Sequence, residues 1–360
     1  RPVTSTLKLT TLAAATAALS LSSLLAGCST ETAPADGGAR SASAATDAEG
    51  KSVDNTGRPK RVFKFTYTAN VPAPAAGTKK LRVWAPLPRT EEGVQEIADL
   101  TIVSPKGAKQ TESGDFGNKF MYFEVDNPTA GVKLEWTATV TRYDDNGQGR
   151  GAQNQRYLKG TNLIPIEGEA ADEAAALVES LKLNEEGLTD TARAKRIYDD
   201  VLDTMEYNKT VPGYGQGDFI RSIEVCKGNC TDFHARFMGV GRKAGLPVRF
   251  TMGIPLKAGK NSYNSYHCWA HWYDKSSDTW KPVDISEADK VVAGDPEKAQ
   301  WYFGNFGRNR ITLTYGRDLN LEPKQAAGPL NYMVFPYAEA DGKGVPMSKK
   351  DWLWTWEDVE

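Results

Sequence analysis

Apolar and polar positions alternate in short runs between residues 62 and 143. Val62, Phe63, Phe65 and Tyr67 open the series, Leu81, Val83 and Trp84 follow, and further runs cover 100–103, 120–125 and 132–143. A period of two, with Pro- and Gly-bearing turns between runs and no helical spacing, predicts half-buried antiparallel strands. Residues 61–145 are therefore expected to form a small antiparallel β-sandwich. The glycine-rich stretch DDNGQGRGAQN that follows has an acidic start, but it lacks the spacing and closing glutamate of a calcium loop. Residues 146–170 read as a linker.

Downstream the period lengthens. Ala194, Ile197, Tyr198, Val201, Leu202 and Met205 stand three and four apart, predicting an amphipathic helix over 189–207 with Thr189 or Asp190 as its N-cap. A shorter helix is expected over 172–181. After a glycine-rich loop at 211–218, Phe233, Phe237, Val240 and Ala244 share one face of a helix over 231–244, which Gly245 ends and Pro247 follows. Residues 248–254, 266–273 and 280–285 read as strands. Helices followed by strands predict an α+β domain, placed at 171–340, with 341–360 as a C-terminal tail.

The amino end carries a different signal. Arg1 and Lys8 flank an apolar stretch over 12–25, too short to span a bilayer, that ends in Leu25-Ala26-Gly27-Cys28. This resembles a bacterial lipoprotein signal with its lipobox, which implies cleavage before Cys28 and lipidation of that cysteine; a plain secretory signal is the other reading. Several acyl chains hold a protein at a membrane firmly where one does not. Residues 29–60 are small and polar, cannot bury enough surface to fold, and read as a flexible tether reaching roughly 30 Å at coil dimensions. The expected location is thus exported and lipid-anchored to the cell envelope, on the periplasmic or outer-surface face of a bacterial membrane. A net charge of −2 without a long basic run argues against a nucleic-acid partner, whose phosphates demand a basic surface.

Three segments carry candidate chemistry. In Gly228-Asn229-Cys230-Thr231-Asp232-Phe233-His234 a cysteine stands at the start of an amphipathic helix, where free N–H groups and the helix dipole favour a thiolate. The same N–H groups suit the oxyanion of a tetrahedral intermediate. A buried structural cysteine is the plainer reading of that segment alone. Tyr266-His267-Cys268-Trp269-Ala270-His271-Trp272-Tyr273 is a strand that puts His267, Trp269, His271 and Tyr273 on one face. It is joined by a polar turn to Trp280-Lys281-Pro282-Val283-Asp284. A hairpin folded about Lys275 and Ser276 sets His267 opposite Asp284, a base beside the carboxylate that orients it.

Together, GNCTDFHARFMGVGRKAGLPVRF, YHCWAHWY and WKPVD resemble the three motifs of the transglutaminase-like superfamily, over roughly 172–321. The resemblance implies a papain-like transglutaminase core behind the β-sandwich, needing no cofactor or metal. Cys230 would be the nucleophile, His267 the general base and acid, and Asp284 the orienting carboxylate. The implied activity is attack on an amide or peptide bond through a thioester, ending in hydrolysis or transfer to an amine. The substrate would be a peptide or protein, with cell-wall peptide as one candidate. A binding or scaffold module that keeps the fold without turnover is the alternative.

Gln216 stands where related chains carry an aromatic residue; Gln216 and Tyr214 are the candidate second oxyanion donors, and a solvated loop residue is the plain reading of Gln216. Cys226 and Cys268 are a candidate disulfide, leaving Cys230 free, although spacing does not fix connectivity. A zinc site from Cys226, Cys230, His234 and His267 lacks the usual ligand spacing. Residues 284–288, 302–304, 316–318 and 329–332 also resemble bacterial members and suggest no chemistry by themselves.

Overall fold

The structure, a computed structural model, describes residues 58–147 and 155–359. The expected signal, tether and lipidation at Cys28 lie outside the described residues, apart from the last three tether positions. In chain order the first strands are β1 (Lys60–Val71), β2 (Lys80–Pro86), β3 (Gln95–Ser104), β4 (Lys109–Glu112), β5 (Lys119–Asp126) and β6 (Val132–Tyr143). The helices α1 (Asp172–Ser180) and α2 (Asp190–Thr204) follow, then β7 (Glu206–Tyr207), α3 (Phe219–Val225), β8 (Lys227–Gly228) and α4 (Cys230–Lys243). Next come β9 (Val248–Pro255), β10 (Asn261–Tyr263), β11 (His267–Asp274), β12 (Thr279–Val283), α5 (Ile285–Val291) and α6 (Pro296–Trp301). The chain closes with β13 (Arg310–Tyr315), β14 (Tyr337–Ala340), β15 (Lys343–Gly344) and β16 (Trp352–Asp358).

Two five-stranded antiparallel sheets, ordered β10-β16-β1-β6-β3 and β15-β14-β2-β5-β4, make the amino-terminal sandwich. Alternation in β1 buries Phe63, Phe65, Tyr67, Ala69 and Val71, and these share one core with Leu81, Val83 and Ala85 of β2. Trp136 of β6 stacks on Tyr67 and donates its indole N–H to the Pro86 carbonyl at 2.9 Å, joining the two sheets.

The segment expected as a C-terminal tail, which the structure describes over 341–359, is not one. The sequence WLWTWED alternates with a period of two, buries Trp352, Trp354 and Trp356, and pairs with β1 from Phe63↔Asp358 to Ala69↔Trp352. Three buried indoles are large enough to close a sheet face in so short a run, and their partner strand lies far away in sequence. The three indoles also reach across to the core. Trp352 donates to the Asn264 carbonyl, Trp354 to that of Ser265 and Trp356 to that of Lys257, at 2.8–2.9 Å. The sandwich thereby fixes the backbone just ahead of His267.

The second unit is a four-stranded antiparallel sheet, β12-β11-β9-β13. Helix α4 packs against it with every residue from Cys230 to Arg242 buried, and α2 covers α4 with Ala194, Ile197, Tyr198, Val201 and Leu202. The side chain of Thr189 caps α2, accepting the Ala192 N–H at 3.1 Å. The architecture is α+β, with a β-rich amino-terminal region and the mixed core behind it. No helix among the described residues is long and apolar enough to cross a membrane.

Candidate active site

Cys230 is the first residue of α4. Its N-cap, Asn229, accepts the Thr231 N–H at 2.9 Å, and Asp232 accepts the Asn229 N–H at 2.9 Å, closing a capping box. The amides of Thr231, Asp232 and Phe233 are thus spent on Asn229, while that of Cys230 meets no acceptor among the described residues. The Asp232 carboxylate also takes the N–H groups of Gly215 and Gly217, at 2.7 and 3.0 Å. That pair of contacts folds the glycine-rich loop over the start of the helix. Gly217 has φ +64°, and a Cβ there would come within 2.6 Å of Thr231 and Arg317, so the loop needs glycine at this point. Removing a charged partner of three amides should be costly: Asp232→Ala is expected to lose about 3 kcal/mol in urea unfolding. A loss under 1 kcal/mol would mean the loop is held by other means.

His267 opens β11, and its Nε2–H donates to Asp284 Oδ2 at 2.8 Å. The route differs from the expected hairpin. Ala270 pairs with Val283 and Asp274 with Thr279, a register two residues away from a fold about Lys275 and Ser276. Asp284 lies just past β12 as the N-cap of α5, accepting the Glu287 N–H at 3.3 Å. A shift of two preserves the face, so the carboxylate still meets the ring. Arg310 of β13 donates to the same Asp284 oxygen at 2.9 Å, and Glu287 Oε1 lies 3.8 Å from His267 Nε2. Arg310 is distant from the motifs in sequence and gives no local signal, whereas Glu287 stands three residues past Asp284 on α5.

The Cys230 thiol lies within electrostatic reach of His267 and Cys268. Burial pushes the Cys230 thiol up, but hydrogen bonds from the Cys268 side chain, from His267 and from the Cys268 backbone, with the His267 charge, hold it well below the usual thiol range. Burial lowers His267, and Asp284 with Cys230 outweighs it, raising the ring to about 9. Asp284 is held low because the charges of His267 and Arg310 overcome its desolvation. The result is a thiolate–imidazolium pair over a wide window: it forms on the acid side of the ordinary thiol range and is lost as pH rises through about 9. Alkylation of Cys230 should therefore stay fast below pH 7, and in His267→Gln its limb should move back toward ~8.5. Identical limbs in the two proteins would contradict the pairing.

Cys268 is a free, fully buried thiol, so the expected Cys226–Cys268 disulfide is not formed. Its sulfur turns toward α4, 3.8 Å from both Thr231 Oγ1 and His234 Nδ1, and is committed to Cys230. Cys226 sits on the far side of the Gly228 turn, its sulfur against the Ile223 carbonyl. The strand face that points away from the His267 ring is the one that packs on the nucleophile helix.

His234 has both ring nitrogens engaged, Nδ1–H on the Cys230 carbonyl at 2.7 Å and Nε2 accepting the Ile285 N–H at 3.3 Å, which leaves none for a metal. Tyr214 is 42 % exposed. The Gln216 carbonyl accepts from Arg317 and Asn331, each at 2.8 Å, and the Tyr332 hydroxyl donates to the Gly215 carbonyl. The Gln216 side chain makes no hydrogen bond with a described residue. Two of the segments that suggested no chemistry, 316–318 and 329–332, thus hold the loop over Cys230.

Residues 177–285, containing Cys230, His267 and Asp284, match the family model of the Transglutaminase-like superfamily. The fold agrees: the crystal structure named "a Putative Cysteine Protease from Cytophaga hutchinsonii" superposes with a TM-score of 0.50 at 13 % identity, covering 83 % of this chain and 98 % of that one. An "Uncharacterized protein" of Haemophilus influenzae is 24 % identical over 335 residues, spanning 81 % of this chain and 89 % of its own.

Proposed function

We propose that the protein is a cysteine enzyme that cleaves an amide or peptide bond through a thioester on Cys230. The observation that carries this is the chain Cys230–His267–Asp284, a thiol paired with a ring that a buried carboxylate orients. The thiolate attacks the carbonyl carbon, and the oxyanion is held by the Cys230 N–H together with a donor from the 215–217 loop, for which the unspent Gln216 amide is the candidate. The exposed Tyr214 is the weaker one. His267 gives its proton to the leaving amine, the C–N bond breaks, and the acyl group remains on sulfur. The neutral ring then takes a proton from water or from a second amine as that group attacks the thioester, and the thiolate leaves.

The expected location, exported and lipid-anchored at the cell envelope, suits a peptide or protein substrate, cell-wall peptide included. The lipobox-like Leu25-Ala26-Gly27-Cys28 fits export and lipid anchoring at the cell envelope. The test is incorporation of a dansyl-amine into a glutamine-bearing protein, run beside release of ammonia or peptide from the same substrate. Hydrolysis without incorporation is expected if water alone reaches the thioester, and incorporation if an amine does. Turnover that persists in Cys230→Ala would sink the assignment.

A further inference from the structure

A second recess, of about 170 Å³, lies between the sandwich and the core sheet. It is lined by Arg89 and Glu92 from the loop after β2, by Asp145 after β6, and by Arg249, Trp280 and Tyr315 from the core. His271, also on its wall, is four residues along β11 from His267, roughly 13 Å at ~3.3 Å per residue, so this is a different place from the candidate active site.

Its charges are not evenly spent. Glu91 is paired with Arg142 at 2.8 Å and accepts the hydroxyls of Thr312 and Tyr315. Asp145 accepts from His271 at 3.0 Å and from the Gly147 N–H at 3.0 Å. Arg89 donates to Asn118 and to the Phe116 carbonyl. The Arg249 side chain has no hydrogen bond and no ion pair with a described residue. Its guanidinium is held by ring faces alone, 4.1 Å from the centroid of Tyr315 and 4.8 Å from that of Trp280, and its Nε is buried without an acceptor. The Nε of Arg89 and the Nε and Nη2 of Arg142 are buried in the same way. A guanidinium stays charged at any ordinary pH, and Glu91 and Asp145 act on this one only at a distance, each already committed to other donors, so a largely buried charge is left without a direct ion pair. Its planar fork, stacked in a fixed plane, matches a carboxylate in bidentate geometry.

A plain monoanion would meet Glu91, Glu92 and Asp145 as well. A zwitterion answers both signs, and Glu92, exposed at the rim without a partner, offers an acceptor for an ammonium. The recess has room for roughly six water-sized groups at ~30 Å³ each, the scale of a small α-amino acid. We propose that this recess binds a small free α-amino acid, with its carboxylate on Arg249 and its ammonium toward Glu92.

The test is calorimetric titration of the full chain with L-alanine, D-alanine, glycine and acetate, with sodium chloride at matched ionic strength as the reference. Saturable binding of at least one amino acid is expected, at least about tenfold tighter than acetate. Arg249→Gln should abolish binding, Arg249→Lys should weaken it because the fork is lost, and Glu92→Gln should bring the amino acid down to the level of acetate. Cys230→Ala should bind as the wild type does, which separates this site from the fate of the catalytic assignment. No saturable binding by any amino acid, or undiminished binding in a folded Arg249→Gln or Arg249→Lys protein, would overturn the proposal; so would acetate binding as tightly as alanine.

Discussion

Cys230→Ala is expected to lower amide turnover by about 10⁴-fold or more, to the background left by substrate binding and the oxyanion donors alone. The fold should survive. The sulfur is small, and α4 starts correctly through Asn229 and Asp232 rather than through the thiol. Circular dichroism and melting temperature should stay close to wild type while single-turnover assays detect no thioester. Asp284→Asn should behave differently. The ring loses the acceptor that fixes its tautomer, and Arg310 loses the carboxylate it pairs with in the interior, so rate and stability should fall together. If Cys230→Ala kept more than a hundredth of wild-type turnover, the nucleophile would have to be sought elsewhere.

The second large effect is structural. Ending the chain before Trp352 removes the strand that pairs with β1 along Phe63 to Ala69 and exposes Phe65 and Tyr67, which stack on Trp356 and Trp354. Replacing one buried tryptophan by alanine costs about 3–5 kcal/mol, and a domain holds only about 5–15 kcal/mol in all. Losing Trp352, Trp354 and Trp356 together should leave the sandwich unfolded, with bound hydrophobic dye and lost near-ultraviolet ellipticity as the readout. Trp354→Phe is the finer probe: it keeps most of the packing but drops the hydrogen bond to Ser265, two residues from His267. It should slow catalysis severalfold with little change in melting temperature. An intact sandwich in the truncated chain would show that β10 or another edge can replace β16.

Much of this was legible in the residues. The alternation in β1, β2, β5 and β6 and the three-four spacing in α2 and α4 report burial on one side, and burial is what the pattern encodes. The pairing of Cys230 with His267 and Asp284 was legible because each sits at the end of an element with its own signal. What did not show were long-range matters. The register of β11 on β12 is set by a four-residue turn at 275–278 and by packing, and it differs from the simplest fold by two residues. Arg310 reaches the site through proximity in space alone, and Cys268, although beside His267 in its motif, meets Cys230 because its strand face packs on α4. Glu287 approaches His267 only because α5 turns back immediately after Asp284. The indoles of β16 carry an alternation as clean as that of β1, yet their role depends on a partner nearly three hundred residues earlier, which no local window contains.

That long separation bears on how the protein is made. Strand β16 lies between β1 and β10 in the first sheet, so that sheet cannot be whole until a segment nearly three hundred residues after β1 has been made. Pairing over such a span is intrinsically slow, since loop-closure entropy must be overcome before the contacts form. A nascent chain with this wiring would carry an open sheet edge beside β1 through most of its synthesis, the kind of edge a ribosome-bound chaperone would have to shield.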